Sequence, residues 1–167
     1  DSARTAFAEG RIGDAEALLK QLLTEDNQNA QALILYGRCL AERGELAEAE
    51  TVLNAVPAGD EHRQALAGAR AQLTFLRQAA SLPEAALLKS RLAKDPGDDE
   101  AAYQLAIHQL ARQQYETALD GLLALFLRNR HYADGLAHKT LLQVFDLLGN
   151  EDPLVTNYRR RLYQALY

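Results

Sequence analysis

Residues 10–17 read GRIGDAEA, and residues 44–50 read GELAEAE. Both stretches run from a glycine through a large apolar residue to an alanine, and their alanines, Ala15 and Ala49, lie 34 residues apart. A third version, QYETAL at residues 114–119, places its alanine 69 residues beyond Ala49. A turn residue followed by strong helix formers predicts the start of a helix. A start that recurs at this period predicts a repeated pair of helices.

The composition of the chain also favours helices. Of its 167 residues, 48% are hydrophobic and 25% are charged, and only three are Ile and four Val. Strands favour β-branched residues, whereas the abundant Ala, Leu, Glu, Gln and Arg favour helices. Apolar residues recur at helical spacing and short loops separate the runs, which predicts ten helices in antiparallel hairpins. We place these helices near residues 2–10, 13–25, 29–43, 45–56, 61–80, 83–94, 98–113, 115–130, 132–148 and 152–166.

The repeat resembles the tetratricopeptide repeat, a helix–turn–helix unit of 34 residues. Its alanine lets the two helices of a hairpin approach closely, and the apolar residue three positions earlier (Ile12, Leu46 or Tyr115) fills the space beside it. The resemblance implies an all-α, tetratricopeptide-like superhelix of about five antiparallel helical hairpins, forming one domain over residues 1–167. The repeat near 65–98 departs from the pattern, with Glu84 at the position of the alanine.

Two proline-containing stretches predict how individual helices begin. Ser81-Leu82-Pro83-Glu84 matches a capping box with a proline in the first turn. Asp152-Pro153 matches an N-cap residue followed by proline at the first helical position. We therefore expect the serine and the aspartate to cap the helices that follow them.

Charge and hydropathy argue against two classes of partner. The net charge of −5 disfavours an extended surface for nucleic-acid phosphates. No apolar run approaches the roughly 20 residues of a membrane-spanning helix. We expect neither nucleic acid nor a membrane as a partner.

Residues that could take part in catalysis or metal binding are few and scattered along the chain. The glutamates of the second helices, such as Glu16 and Glu48, suit the positive end of a helix dipole better than acid–base catalysis. The lone Cys39 rules out an internal disulfide and is either a buried structural thiol or a reactive one. The histidines share no ligand spacing. We predict no metal, no cofactor and no enzyme activity. The four histidines are His62, His108, His131 and His138.

The second half resembles the C-terminal region of the YbbN (CnoX) co-chaperones. The resemblance is carried by DGLAHK at 134–139, FDLLG at 145–149, DPL at 152–154 and YRRRLYQALY at 158–167. It implies a cytoplasmic bacterial holdase that binds unfolded protein clients and docks on the Hsp60 chaperonin through its C-terminal helix. Members of this family carry an N-terminal thioredoxin-like domain, so we expect such a domain upstream of this fragment.

The C-terminal helix has two predicted sides. Leu154, Tyr158, Leu162 and Ala165 share a stripe that we expect to be buried. Tyrosine, leucine and arginine on the other side have the composition of binding hot spots, although the tyrosines would equally cover the end of the core. The predicted chaperonin-docking residues are Arg159, Arg160, Tyr163, Leu166 and Tyr167.

The first helices of tetratricopeptide hairpins line a concave groove, which implies a second surface that binds clients. Its apolar middle suits exposed hydrophobic segments, although the same leucines would also suit packing against one another. The Lys, Asn and Arg residues that hold a C-terminal carboxylate in some relatives are missing. The predicted groove comprises Gln31, Ile34, Arg38, Leu66, Leu73, Leu76, Tyr103, Ile107 and Leu110.

Three functions follow from these observations. The first is a co-chaperone module that contacts clients and chaperonin. The second is a structural adaptor that scaffolds a fixed multi-protein complex. The third is a regulatory domain of an enzyme whose catalytic part lies elsewhere.

Overall fold

Every helix predicted from the periodicity is present, and no strand forms. The computed structural model describes residues 1–167 and contains ten α-helices and one 3-10 turn. Apart from the start of α9, the observed ends lie within about three residues of the predicted ones. The helices are α1 (Ser2–Ala8), α2 (Ile12–Glu25), α3 (Ala30–Glu42), α4 (Leu46–Asn54), α5 (Arg63–Ala80), α6 (Ala85–Lys94), α7 (Asp99–Ala111), α8 (Tyr115–Arg128), α9 (Leu136–Leu148) and α10 (Pro153–Leu166).

The chain divides into two compact units, residues 1–73 and residues 74–167. In the first unit, α1 to α4 pack in chain order, each helix against the next. In the second unit, α6 to α9 do the same, and α10 packs against both α8 and α9. Short loops between packed neighbours give the antiparallel hairpins that the sequence predicts. The single domain over residues 1–167 stays a prediction.

The same backbone turn precedes three of the second helices. Gly10, Gly44 and Gln113 adopt positive φ angles of 77°, 82° and 60°. After each of them, the next N–H donates to the carbonyl five residues earlier, at 2.8 to 2.9 Å. This left-handed residue and its 6→1 hydrogen bond form the Schellman motif that ends many helices. The third turn keeps this geometry with glutamine, which explains why its sequence resembles the other two only in part.

Small residues bring the paired helices close together. Ala15, Ala49 and Ala118, the alanines of the repeat, are completely buried. At Gly37 in α3, an added Cβ would lie 2.6 Å from Cδ2 of Leu53 in α4, well inside van der Waals contact. The hairpins therefore depend on close backbone approach, and larger residues at these positions would force the helices apart.

The prediction that α9 begins at residue 132 is wrong. Tyr132–Asp134 forms a 3-10 turn, and Ala133, Asp134 and Gly135 all have positive φ angles, of 44°, 60° and 81°. A right-handed α-helix cannot pass through three consecutive residues in this region. The helix therefore starts only at Leu136, the first residue after this left-handed segment.

One of the two predicted helix starts is confirmed. The carboxylate of Asp152 accepts the N–H of Leu154 at 2.9 Å, and Pro153 occupies the first position of α10. The capping box at Ser81 is wrong, because the serine hydroxyl donates to the Gln78 carbonyl at 2.9 Å. This serine directly follows α5 and bonds back to its last turn, and α6 begins at Ala85 without a side-chain cap.

None of the helices combines the length and the hydrophobicity needed to cross a lipid bilayer.

Candidate protein-binding surfaces

A cavity of about 440 Å³ lies in the first unit, lined mainly by α1, α3 and the residues around the start of α5. Its floor is apolar and includes Phe7, Ile34 and Leu35. The size falls in the range of sites that accept a small ligand or a few side chains of a peptide. These elements are the first helices of successive hairpins, which are the helices expected to form a groove.

Basic side chains surround this floor. Arg4, Arg38 and His62 line the cavity from three different segments of the chain. The guanidinium of Arg38 lies over the ring of Phe7, with its Cζ 4.8 Å from the ring centroid. A cation over an aromatic face is attracted by the ring quadrupole, so this contact helps to hold Arg38 beside the apolar floor.

The structure brings only some of the predicted groove residues to this cavity. Gln31, Ile34 and Arg38 line it together. Residues of the predicted groove that lie elsewhere are mostly covered: Leu66 and Leu76 are half-buried, and Tyr103 is half-buried with its hydroxyl 3.2 Å from that of Thr140. Three are core residues that offer no surface to a partner, namely Leu73, Ile107 and Leu110. For these three residues the structure agrees with the alternative interpretation, in which the apolar side chains pack against one another.

The inner side of α10 is fixed to the second unit. Val155, Tyr158 and Leu162 are buried, and the Tyr158 hydroxyl donates to the carboxylate of Asp120 on α8. Arg161 reaches the same carboxylate at 3.6 Å. The predicted buried stripe is therefore confirmed at Tyr158 and Leu162, whereas Leu154 and Ala165 at its two ends are only half-buried.

A further contact holds the end of α10. Arg130, in the loop after α8, donates to the carbonyl of Ala165. Carbonyls in the last turn of a helix have no partner within the helix, so an arginine at this end satisfies one of them and complements the dipole. The helix is thus held at its middle and at its C-terminal end.

The environment of Tyr158 changes its acidity. Burial disfavours the phenolate, and the hydrogen bond to Asp120 adds to the effect, so the pKa of Tyr158 is raised to about 12. The phenol is therefore a hydrogen-bond donor over the whole neutral and mildly alkaline range.

The outer side of α10 is open to solvent. Tyr163 is 50% exposed and Tyr167 is fully exposed. Together with Arg160 they border a shallow depression of about 580 Å³ on this side. The depression is completed by Arg159, Thr156 and Gln164.

Four of the five predicted docking residues meet at this depression, and Leu166 does not line it. The two arginines differ in their surroundings. Arg159 donates to the Asn150 side chain at 3.1 Å and lies over the ring of Phe145 at 5.6 Å, so it is bound to its own unit. Arg160 is exposed and reaches only Asn157, at 3.5 Å. Arg160 is therefore the better placed of the two to meet an incoming carboxylate.

Residues missed by the sequence analysis complete both surfaces. Thr156 and Gln164 follow from the helical period, since they lie four residues before and four residues after Arg160 on the same side of α10. Arg4 and Phe7 had no comparable signal, because α1 has only seven residues and its pattern is too short to define a face.

The glutamate at the start of α2 has a further role beside the helix dipole, which the sequence did not predict. The Glu16 side chain is 8% exposed and bonds to Arg43 at 2.8 Å and to Lys20 at 3.2 Å. Burial acts to raise the pKa of Glu16, but the bonds to Arg43 and Lys20 outweigh it and lower the pKa overall. This carboxylate therefore joins α2 to the end of α3.

Cys39 has the surroundings of a structural thiol. It is completely buried in α3. Burial raises the pKa of its thiol to about 11, which leaves very little thiolate near neutral pH. The structure thus favours the first of the two interpretations of this cysteine. No group of three or more His, Cys, Asp or Glu side chains is arranged to hold a metal ion.

Comparison with known proteins agrees with the repeated hairpins. Two tetratricopeptide repeat models match the chain, one over residues 6–73 and one over residues 78–167. The chain belongs to the tetratricopeptide repeat family. Tetratricopeptide repeats are protein–protein interaction modules and typically have no catalytic role.

Two relatives of this tetratricopeptide chain come from bacteria. An uncharacterised protein of Haemophilus influenzae is 31% identical over 144 residues, which cover 85% of this chain and 64% of the relative. The chain thus spans less than two thirds of that protein's length. A solved domain of a Vibrio parahaemolyticus protein of unknown function is 27% identical, with a TM-score of 0.43, and the match covers 99% of this chain and 96% of that domain.

Proposed function

We propose that this tetratricopeptide chain is the interaction module of a cytoplasmic co-chaperone of the YbbN (CnoX) type. In this proposal it binds unfolded protein clients and docks on the Hsp60 chaperonin through the outer side of α10. The proposal also includes a thioredoxin-like domain upstream of this chain in the whole protein. The resemblance of residues 134–167 to that family gives the direction, and the contacts of α10 give the physical support.

The single observation that carries the docking proposal is the two-sided character of α10. Its inner side is buried and hydrogen-bonded to α8, whereas its outer side exposes Tyr163 and Tyr167 beside Arg160. The last helix of a repeat stack is expected to present a polar outer face. Tyrosine and arginine are the residues enriched at binding hot spots, and a rigidly held helix loses little conformational entropy when a partner binds it.

Client binding is assigned to the cavity of the first unit. Its apolar floor includes the partly exposed side chains of Phe7 and Leu35, in contrast to the buried Ile107 and Leu110. Exposed hydrophobic segments of an unfolded chain supply side chains that fit such a floor. The two proposed surfaces lie in different units, so each can be changed by mutation without touching the other.

The docking proposal is tested by replacing both exposed tyrosines. We expect Tyr163→Ser with Tyr167→Ser to weaken chaperonin binding by about 30-fold or more, since the loss of even one hot-spot side chain costs about 2 kcal/mol. Affinity for purified bacterial Hsp60 is measured by surface plasmon resonance. Leu127→Ser, at a leucine of α8 that is 56% exposed, is the matched control and should leave the affinity unchanged. Wild-type affinity of the double variant would refute docking through α10.

Point variants are preferable to truncation. Removing the last ten residues would delete the buried Tyr158 and Leu162 together with the exposed face. A loss of binding in that truncated chain would have two explanations, a missing contact or a disturbed unit. The tyrosine variants leave the inner side of α10 intact.

The structural adaptor remains the alternative and is separated by a second measurement. A co-chaperone should suppress the aggregation of several unrelated proteins as they are unfolded by heat. An adaptor should leave aggregation unchanged and should instead recover one partner in fixed stoichiometry from a cell extract. Light scattering at equal molar ratios, with and without the chain, distinguishes the two.

A further inference from the structure

The cavity of the first unit is basic although the chain as a whole is acidic. The net charge is −5, yet the cavity is lined by Arg4 and Arg38, with His62 as a third basic side chain. These residues come from α1, α3 and the segment before α5, so the fold gathers them from distant parts of the sequence. A local excess of positive charge attracts ligands of opposite sign.

The one acidic residue that lines the cavity, Asp1, offsets only one of the two arginine charges. Oδ1 of Asp1 accepts the N–H of Ala3 at 3.1 Å and so caps the start of α1. A carboxylate in this position is stabilised by the helix N-terminus. Arg4 and Arg38 carry permanent charges, so two guanidinium groups and one carboxylate are among the residues that line the cavity.

The charges lie next to apolar surface. Arg38 is half-buried and lies 4.8 Å over the ring of Phe7, which belongs to the floor. A ligand that fills the floor with an apolar side chain thus brings its neighbouring groups close to a guanidinium. In a partly buried site the attraction between a guanidinium and a carboxylate is stronger than it is in open solvent.

We propose that this cavity selects polypeptide segments in which a large apolar side chain is next to an aspartate or glutamate side chain. The apolar side chain contacts Phe7, Ile34 and Leu35, and the carboxylate meets Arg4 and Arg38. Complementarity of charge is what singles out this occupant. The inference rests on the proposed function in taking a polypeptide as the ligand, and it is independent of docking through α10.

Binding of short fluorescent peptides by anisotropy tests the selection. The probes contain Leu and Phe flanked by Glu, by Gln or by Lys in otherwise identical sequences, and all have amidated C-termini so that no terminal carboxylate is present. We expect the Glu peptide to bind about tenfold more tightly than the Gln peptide, and the Lys peptide to bind most weakly. The preference should shrink as salt is added.

Two variants assign the preference to the cavity. Arg4→Gln changes an exposed side chain of α1 and should reduce the Glu-over-Gln preference several-fold without a change in melting temperature. Arg38→Gln also removes the contact with Phe7, so its melting temperature is compared with that of the wild type before its affinity is interpreted. Arg112→Gln, at an exposed arginine of the other unit that belongs to neither proposed surface, is the matched control and should keep the full preference.

The outcomes separate this inference from the proposed function. Equal binding of the Glu and Gln peptides, or an undiminished preference in Arg4→Gln, would overturn the inference even if the chaperonin still binds α10. Concentration-dependent dimers that Arg4→Gln dissolves would also overturn it, since the cavity would then hold a second copy of the chain. Loss of chaperonin docking in the tyrosine variants with an intact Glu preference would support both proposals.

Discussion

The hairpin of α3 and α4 and the hairpin of α9 and α10 are held by different means. The first depends on small residues, because Gly37 lets α3 lie directly against Leu53 of α4, and Ala49 is completely buried. In the second hairpin, α10 relies on specific side chains that reach α8, chiefly Tyr158 bonded to Asp120. The regular hairpin carries the repeat pattern, and the last hairpin keeps only its length.

This difference separates residues that determine the fold from residues that present a surface. Where two helices touch along their backbones, the sequence is restricted to Gly and Ala and little remains exposed. Where a helix is held through a few long side chains on one side, its other side is free to vary. The predictions below test the two modes of attachment, and the docking experiment on Tyr163 and Tyr167 has a larger expected effect than any of them.

The largest stability effect is expected at the close contact between α3 and α4. Gly37→Ala should lower the free energy of unfolding by about 2 kcal/mol, because the added methyl overlaps the buried side chain of Leu53. Urea denaturation followed by circular dichroism measures the change. A variant as stable as the wild type would show that the two helices separate at little cost.

An intermediate effect is expected at the contact between α8 and α10. Tyr158→Phe removes one partly buried hydrogen bond and should cost about 1 kcal/mol near neutral pH, while Asp120 keeps its contact with Arg161. Tyr163→Phe, at an exposed tyrosine, is the control and should be neutral. An equal loss in both variants would contradict the assigned role of the bond.

The same contact predicts a dependence on alkaline pH. The pKa of Tyr158 is raised in the folded state to about 12, above the value of about 10 in an unfolded chain. The stabilisation is therefore complete below about pH 10 and is lost as the pH rises towards about 12. The difference in stability between wild type and Tyr158→Phe should shrink in this window, and its persistence there would exclude the assigned pKa.

The smallest effect is expected at a helix glycine that touches nothing. Gly13 lies in α2 and has no neighbouring atom within 4 Å of an added Cβ. Gly13→Ala should therefore raise the free energy of unfolding by about 0.5 to 1 kcal/mol through lower backbone entropy in the unfolded chain. Opposite signs for Gly13→Ala and Gly37→Ala in the same assay would show that contact, and not glycine itself, matters at position 37.

Sequence periodicity predicted the helices because the apolar residues of all but the short α1 recur at helical spacing. It failed at Ala133 and Asp134, since nothing in their residue types announces a left-handed backbone. It also failed at Ser81, where the last turn of α5 competes with the capping box for the same side chain. Local competition between alternative hydrogen bonds is decided by the surrounding structure.

The binding surfaces were predictable to different degrees. The outer side of α10 follows from one helical period, so Arg160, Tyr163 and Tyr167 were identified correctly as neighbours. Arg159 instead contacts Phe145 and Asn150 of the preceding helix and loop, and no local sequence pattern reveals these contacts. The cavity depends on three segments that meet only after folding.

The bond between Tyr158 and Asp120 spans 38 residues, and the bond between Arg130 and Ala165 spans 35. Contacts between adjacent helices close short loops and form early, whereas these contacts require α9 to be in place first. During synthesis, α10 therefore settles after the hairpins before it. In a chain in which α8 and α9 have not folded, α10 would have no anchor and the outer tyrosines would lie on an unanchored segment. The affinity of that chain for a partner would therefore report whether the second unit has folded.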